Sequence, residues 1–405
     1  MPTIKPFKGV RATADKVAHV ISRTYQDYGK KELKAQLKYN PYSFLQILNP
    51  GYKFNQEITG LDRYSLVRNR YLEFKEEGYL VEDEKAAFYI YENIDPHHSY
   101  TGIIAGTSTD DYLNNKIKKH EDTLSLKENL FKNYLKAAGF NAEPVLLTYE
   151  DRSEINQLIA EVKTTAPDQH FSTTDFNSHK IWPVTNPQLI EKIEKEFKEL
   201  SQLYIADGHH RSASSSLLAQ EMGDKKESYK FFMSLLIAES QLNIYEFNRQ
   251  IKDLNGLNKQ EFLMKLDQHF RIQNRGLELY RPSKKHHFSM YLDGEFYSLY
   301  LRKGLLKELT PLQDLDPQLL YDLILDPILG IKDLRTDSRI QYSYGKHDLM
   351  HMKERVDKRE FKVGFGLFPT TVEQMKSIAD ADLRMPPKST YIRPKLPSGL
   401  IIYEF

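Results

Sequence analysis

Apolar positions along the chain alternate between short β-favouring runs and longer stretches with helical spacing, with no sustained repeat. Residues 86–94 (AAFYIYENI) and 100–108 (YTGIIAGTS) are β-favouring and are joined by a polar link, Asp95-Pro96-His97-His98-Ser99, so they predict a hairpin. Helical spacing follows from Asp110 and ends on Gly139, and residues 143–151 (EPVLLTYED) predict a strand. The clearest helix comes after Trp182-Pro183. Asn186 suits its N-cap, Pro187 suits its first turn, and Leu189, Ile193, Phe197 and Leu200 recur on one face. It leads into a strand at Leu203–Ala206, and the apolar run 231–238 (FFMSLLIA) predicts another, buried strand.

Composition turns polar at 252–260 (KDLNGLNKQ), the best candidate linker. Beyond it the spacing predicts a helix near Phe262–Phe270. Two β-like runs, 286–293 and 295–302, then meet at Asp293-Gly294, a strong hairpin turn. The expected organisation is a mixed α+β protein in three parts. Residues 1–252 form an α/β region, 253–304 a small α+β insertion, and 305–405 a C-terminal region packing back on the core.

A chain of 405 residues exceeds what one hydrophobic core usually supports, which fits several lobes. With 40% hydrophobic residues, 28% charged residues and a net charge of +1, it reads as globular, with no basic surplus for nucleic acid. The absence of cysteine excludes disulfides, thiolate metal sites and thiol catalysis, and suits the cytoplasm. The N-terminal residues lack the apolar core of a signal peptide, and the longest apolar runs are too short to span a bilayer, so no membrane partner is expected. A homo-oligomer stays open.

Candidate chemistry concentrates at residues 203–222 (LYIADGHHRSASSSLLAQEM), where Asp207, Gly208, His209, His210 and Arg211 separate a strand from a helix-compatible run. Backbone N–H groups and the helix dipole favour an anion at such a junction, and phosphate is the simplest one. Gly208 would admit a close ligand, and the small residues from Ser212 to Ser216 keep the helix slim. Arg211 could grip phosphate oxygens at two points, either histidine could donate a hydrogen bond or a proton, and Asp207 could act as base or as a Mg²⁺ ligand. The bland reading, a solvated turn, explains the pairs His97-His98 and His286-His287 better than it explains this cluster. A zinc site is disfavoured, because adjacent histidines rarely chelate one ion and no H-E-x-x-H spacing exists. There is no P-loop, and Gly364-Phe365-Gly366 lacks the third glycine of a dinucleotide fingerprint.

Three further stretches have functional and structural readings. Lys118-Lys119-His120-Glu121, expected on a helix, is either an anion clamp or a solvated face. Arg335 and Asp337 are either substrate-binding, with Arg335 on a carboxylate, or part of a structural ion pair. Residues 385–400 (MPPKSTYIRPKLPSGL) are either a rigid loop presenting Lys388, Ser389, Thr390 and Arg393 or a tail strapped across the core.

From His179 to Ser215 the chain resembles the bacterial and archaeal family labelled domain of unknown function 1015. The resemblance extends to IKPFKGVRA at 4–12, NPYSFLQI at 40–47, YLNNKIKKHEDT at 112–123, DPILGIKDLRTDSRI at 326–340 and the 385–400 segment. The Asp207–Arg211 turn is also similar to the phosphate-binding turn of the ParB and sulfiredoxin superfamily, which includes partition proteins and free serine kinases. That resemblance implies a ParB/sulfiredoxin-like core with an added α+β lobe, a nucleotide phosphate at Gly208–Ser212, and Asp207 near the reacting hydroxyl. It also implies an N-terminal acid as base, for which Asp27 or Glu32 is available. Where family members commonly show Ser-Pro-Pro-Tyr-Asp, this chain reads Ser22-Arg23-Thr24-Tyr25-Gln26-Asp27, which displaces the acid by one position. Three functions follow as expectations. The first is phosphoryl transfer to a small hydroxy amino acid from ADP or ATP with Mg²⁺. The second is hydrolysis of phosphoserine or a similar ester, and the third is a nucleotide-binding switch without turnover.

Overall fold

The run Phe231–Ala238 is buried along its whole length. A strand covered on both faces needs no polar alternation, and the largest sheet of the protein grows on either side of this one. The computed structural model describes residues 1–344 and 348–405, with Gln26 and Asp348 described through their backbone only. The chain is mixed α/β and divides into two units, one formed by 1–118, 123–242 and 394–405, the other by 119–122 and 243–393. Both boundaries expected from the sequence, after 252 and after 304, fall inside the second unit.

The first unit holds a nine-stranded sheet. Its strands are β1 (Ile4–Lys5), β2 (Phe88–Ile94), β3 (Ser99–Ser108), β4 (Ile117–Lys118), β5 (Val145–Tyr149), β6 (Gln169–Ser172), β7 (Ser178–Val184), β8 (Leu203–Asp207) and β9 (Phe231–Ala238). They run in the order β4-β8-β5-β9-β3-β2-β7-β6, with β1 beside β3. The expected hairpin is β2–β3, whose antiparallel register pairs Ile94 with Ser99 across the polar link. Helices α1 (Ser125–Ala138), α2 (Ser153–Lys163), α3 (Pro187–Lys198) and α4 (His209–Met222) belong to the same unit. Ile155 and Ile159 of α2 and Ile193 and Phe197 of α3 share a core with Ile103, Leu147, Ile205 and Leu236 of the sheet. As expected, Asn186 caps α3, accepting from Gln188 N at 2.9 Å and Leu189 N at 3.2 Å.

The helix expected at Lys118–Glu121 does not form. Asn115 adopts a left-handed φ of 56°, the chain turns, and Ile117 and Lys118 pair in parallel with Leu203 and Tyr204 of β8. Tertiary sheet pairing overrides the local helical spacing there. At the other end of the chain, Ile402–Glu404 inserts between Gly9–Ala12 and Phe140–Asn141 in a four-stranded sheet. Glu404 accepts hydrogen bonds from Tyr71 at 2.9 Å and Lys75 at 3.1 Å, which fixes the returning tail.

The second unit is built on a six-stranded antiparallel sheet of β10 (Phe247–Ile251), β11 (Phe270–Gly276), β12 (His287–Leu292), β13 (Glu295–Leu301), β14 (Ile340–Tyr344) and β15 (Val363–Gly366), ordered β11-β13-β12-β15-β10-β14. Asp293 and Gly294 join β12 to β13 with positive φ at both positions, as that turn requires. Residues 252–258 form a loop inside this unit rather than a linker. The loop ends where Asn258 and Glu261 make a capping box on α5 (Lys259–Asp267). Phe262 and Leu266 of α5 pack with Phe288, Met290, Leu299, Leu320 and Ile324. No helix among the described residues is long and apolar enough to cross a membrane.

Candidate functional site

Residues 203–211 form the expected strand-turn-helix junction. Leu203–Ala206 are buried in β8, which pairs with β4 on one side and β5 on the other. The register against β5 slips between Ile205 and Asp207, a bulge that re-aims the end of the strand. Gly208 then takes φ 101° and α4 begins, with no side chain capping its N-terminus. The first turn closes on Gly208, whose carbonyl accepts from Arg211 N at 2.9 Å and Ser212 N at 3.1 Å. His209 is buried and His210 half-buried, and Ser212 to Ser216 are buried throughout. Those small side chains let α4 pack against α1 and β9. The Ser212 hydroxyl is engaged within the helix, donating to the His209 carbonyl at 3.0 Å.

The charged groups form a compact network. Arg211 Nη2 donates to Asp207 Oδ2 at 2.7 Å, and its Nη1 donates to the Pro144 carbonyl at 2.7 Å and lies 3.7 Å from Glu143. Lys395 Nζ donates to Asp207 Oδ1 at 3.0 Å. Burial opposes ionisation of Asp207, but the charges of Lys395 and Arg211 and the Lys395 hydrogen bond overcome it and hold the carboxyl at about 2. Glu143 Oε1 accepts from the Ser398 hydroxyl at 2.5 Å, and Ser398 exchanges backbone hydrogen bonds with Ser22 at 2.7 and 3.2 Å.

Each carboxylate oxygen of Asp207 thus already faces a cation, which leaves little for a metal. Among the described residues no group of three or more His, Cys, Asp or Glu side chains comes together as a metal site. The residues present therefore do not fit a resident Mg²⁺ held by the protein. A Mg²⁺ arriving on nucleotide phosphates needs no such cage.

The other expected site residues divide between the two units. Lys118 lies in β4 beside β8, in the unit that holds Asp207, His209, His210 and Arg211. Lys119, His120, Arg335, Asp337, Lys388, Ser389 and Thr390 belong to the second unit. There Asp337 is gripped by Arg339 at 2.8 and 3.2 Å, the structural ion pair weighed for that position. Arg335 is exposed and reaches towards Asp122 at 3.9 Å. Lys388 is exposed over the Phe247 ring, whereas the buried Ser389 donates its hydroxyl to the Pro386 carbonyl at 2.7 Å. Of the two N-terminal acids, Glu32 forms an ion pair with Arg23, and Asp27 closes a short 3₁₀ turn. Sequence reasoning missed Lys395, Glu143, Ser398 and Ser22. Ser22 opens the run that departs from the family pattern, and Lys395 lies within the proline-rich segment, so the stretches were marked but not those residues.

The model of the family described as protein of unknown function (DUF1015) matches residues 4–318. No curated protein matches the chain. Among solved structures, SbnI with a C-terminal truncation, from Staphylococcus aureus, is 13% identical, with 72% of this chain and 82% of that chain covered and a TM-score of 0.36. A free serine kinase variant in complex with AMP is 14% identical, covering 73% of this chain and 88% of its own, with a TM-score of 0.38. A conserved hypothetical protein from Pyrococcus furiosus is 14% identical, covering 73% and 93%, with a TM-score of 0.33.

Proposed function

This chain belongs to the family described as protein of unknown function (DUF1015), and we propose that its α4 turn holds a phosphoryl group in transit between ADP or ATP and a small hydroxy amino acid, with serine the first acceptor to test. One observation carries the reading. An uncapped helix start at a left-handed glycine is flanked by two cations, Arg211 and Lys395, both bonded to the Asp207 carboxylate. Helix N-termini attract phosphate, and cations fixed beforehand need no reorganisation when charge develops on the transferring group.

In the proposed reaction the acceptor hydroxyl oxygen attacks the terminal phosphorus. A new P–O bond forms as the bond to the leaving nucleotide oxygen breaks, and the hydroxyl proton passes to a base. Asp207 is reassigned in this scheme. A carboxylate held at about 2 is a weak base, so Asp207 orients Arg211 and Lys395 instead. The proton goes to one of the first-turn histidines, with His210 the less buried of the two. Mg²⁺ enters with the nucleotide as part of the substrate.

The test is to incubate the full chain with Mg²⁺, ADP or ATP, and serine, and to follow phosphorus species by NMR. Phosphoserine that appears only with nucleotide is the expected result. Inorganic phosphate released from phosphoserine without nucleotide would replace the kinase reading with a hydrolase. Tight nucleotide binding with neither product would leave a switch protein.

A further inference from the structure

Four residues, 119–122, pass through the second unit before the chain returns to the first. They are pinned there by Arg384, whose Nη1 donates to the Leu383 carbonyl at 2.8 Å and the Lys119 carbonyl at 3.4 Å, and by Met385 N, which donates to the His120 carbonyl at 2.8 Å. This places the Asp122 carboxylate between two guanidinium groups. It lies 3.7 Å from Arg384 Nε and 3.9 Å from Arg335 Nη2, too far for a hydrogen bond to either. Lys119 is half-buried beside the same Arg384, and burial together with that like charge lowers its pKa. Arg384 Nη2 donates to Asp382 at 3.0 Å.

Two guanidinium groups therefore face one loosely held carboxylate, and Lys119 adds a third cation beside Arg384. We propose that Lys119, Arg335 and Arg384 form an anion site in the second unit that takes a phosphate group, and that Asp122 is the internal carboxylate the ligand displaces. A phosphate offers more acceptor oxygens and more charge than Asp122, and each guanidinium can grip two of those oxygens. Displacement costs little, because exposed ion pairs at these distances contribute weakly to stability. The inference uses residues of the second unit only and does not depend on what the α4 turn binds.

Asp122 gives the proposal its discriminating test. Inorganic phosphate is titrated by calorimetry into the full chain carrying R211Q, which disables the clamp at α4. Saturable phosphate binding is expected to remain, to weaken about fivefold or more in R211Q/R335Q and in R211Q/K119Q, and to tighten in R211Q/D122N. Arg335 and Asp122 are exposed while Lys119 and Arg211 are half-buried, and circular dichroism checks that each variant folds. Absence of saturable binding in R211Q, unchanged affinity in R211Q/R335Q, or weaker binding in R211Q/D122N would each overturn the site. Acetate binding as tightly as phosphate would overturn the phosphate assignment. O-Phosphoserine in place of inorganic phosphate separates an ester ligand, which binds more tightly, from the free ion, which does not gain. Loss of nucleotide binding in R211Q alone bears on the α4 turn and leaves this proposal standing.

Discussion

Replacing Gly208 with alanine tests the turn where its geometry is tightest. A Cβ built on Gly208 lies 2.9 Å from Arg211 Nε and 3.1 Å from both Cζ and Nη2, on a backbone with φ 101°. The left-handed backbone alone costs an L-residue about 1–2 kcal/mol. The guanidinium must also leave its 2.7 Å bonds to Asp207 and the Pro144 carbonyl. Both side chains are partly exposed, so water recovers part of that loss and about 1 kcal/mol remains. G208A should therefore lose about 2–3 kcal/mol of stability. Gly78 supplies the control, because its φ is 74° but no atom lies within 4 Å of its would-be Cβ. G78A should lose about 1–2 kcal/mol, the backbone share alone. The chain has a single tryptophan, Trp182, buried in the same unit as both glycines, so its fluorescence in urea reads the relevant transition. Calorimetry with Mg-ADP reads the second consequence: misplacing Arg211 should weaken nucleotide binding about 10–100-fold, with no change in G78A. Nucleotide affinity unchanged in G208A would refute close approach of the ligand to this turn. Equal losses of stability in the two variants would refute the collision with Arg211.

Lys395→Gln should return the Asp207 carboxyl from about 2 towards its ordinary 3.8, read by carboxyl-carbon NMR across a pH titration, and weaken nucleotide binding about fivefold or more. No movement of that titration would mean that Lys395 does not hold Asp207 in solution. His179 lies between the Phe171 and Tyr91 rings, and burial lowers its pKa from 6.5 to about 4. Its stabilising contribution is therefore complete above pH 6.5 and falls as pH drops to 4, by about 3 kcal/mol, and His179→Gln should flatten that slope in Trp182-monitored urea titrations. Burial raises Asp316 to about 7, and although its Oδ1 accepts from His286 N at 2.8 Å, its Oδ2 is buried with no hydrogen-bond partner among the described residues. The sign is opposite here, with stability full below pH 3.8 and lost as pH rises through 7. Asp316→Asn should gain about 4 kcal/mol over wild type by pH 8 and almost nothing at pH 3.5, read by differential scanning calorimetry. A pH-independent difference would mean that Asp316 is not the group that titrates.

Elements set by local pattern were legible. Asn186, Pro187 and the Leu189–Phe197 stripe specified α3, and the β-favouring runs on either side of the polar link Asp95–Ser99 specified the β2–β3 hairpin, because caps, turn residues and periodicity act over a few positions. Lys118–Glu121 was misjudged because the partner that makes Ile117–Lys118 a strand is Leu203–Tyr204, far along the chain. The unit boundaries were hidden for the same reason. Residues 119–122 and 394–405 join units distant from them in sequence, and pairing of the last strand, Ile402–Glu404, with two segments from the first half of the chain leaves no compositional mark.

The candidate site divides along the same line. Asp207 and Arg211 are four positions apart across the turn, so a sequence pattern can show them as a pair. Lys395 stands 188 residues from Asp207, brought there by the tail that Ser398 ties to Ser22 and Glu404 to Tyr71. Its arrival changes what Asp207 is. With Arg211 alone, the aspartate keeps one oxygen for a proton or a metal ion. With Lys395 as well, both oxygens hold cations and the carboxyl is too acidic to serve as base. The residue type at position 207 was readable from the start. Its chemistry is set by the charges packed around it, and one of those charges comes from the far end of the chain.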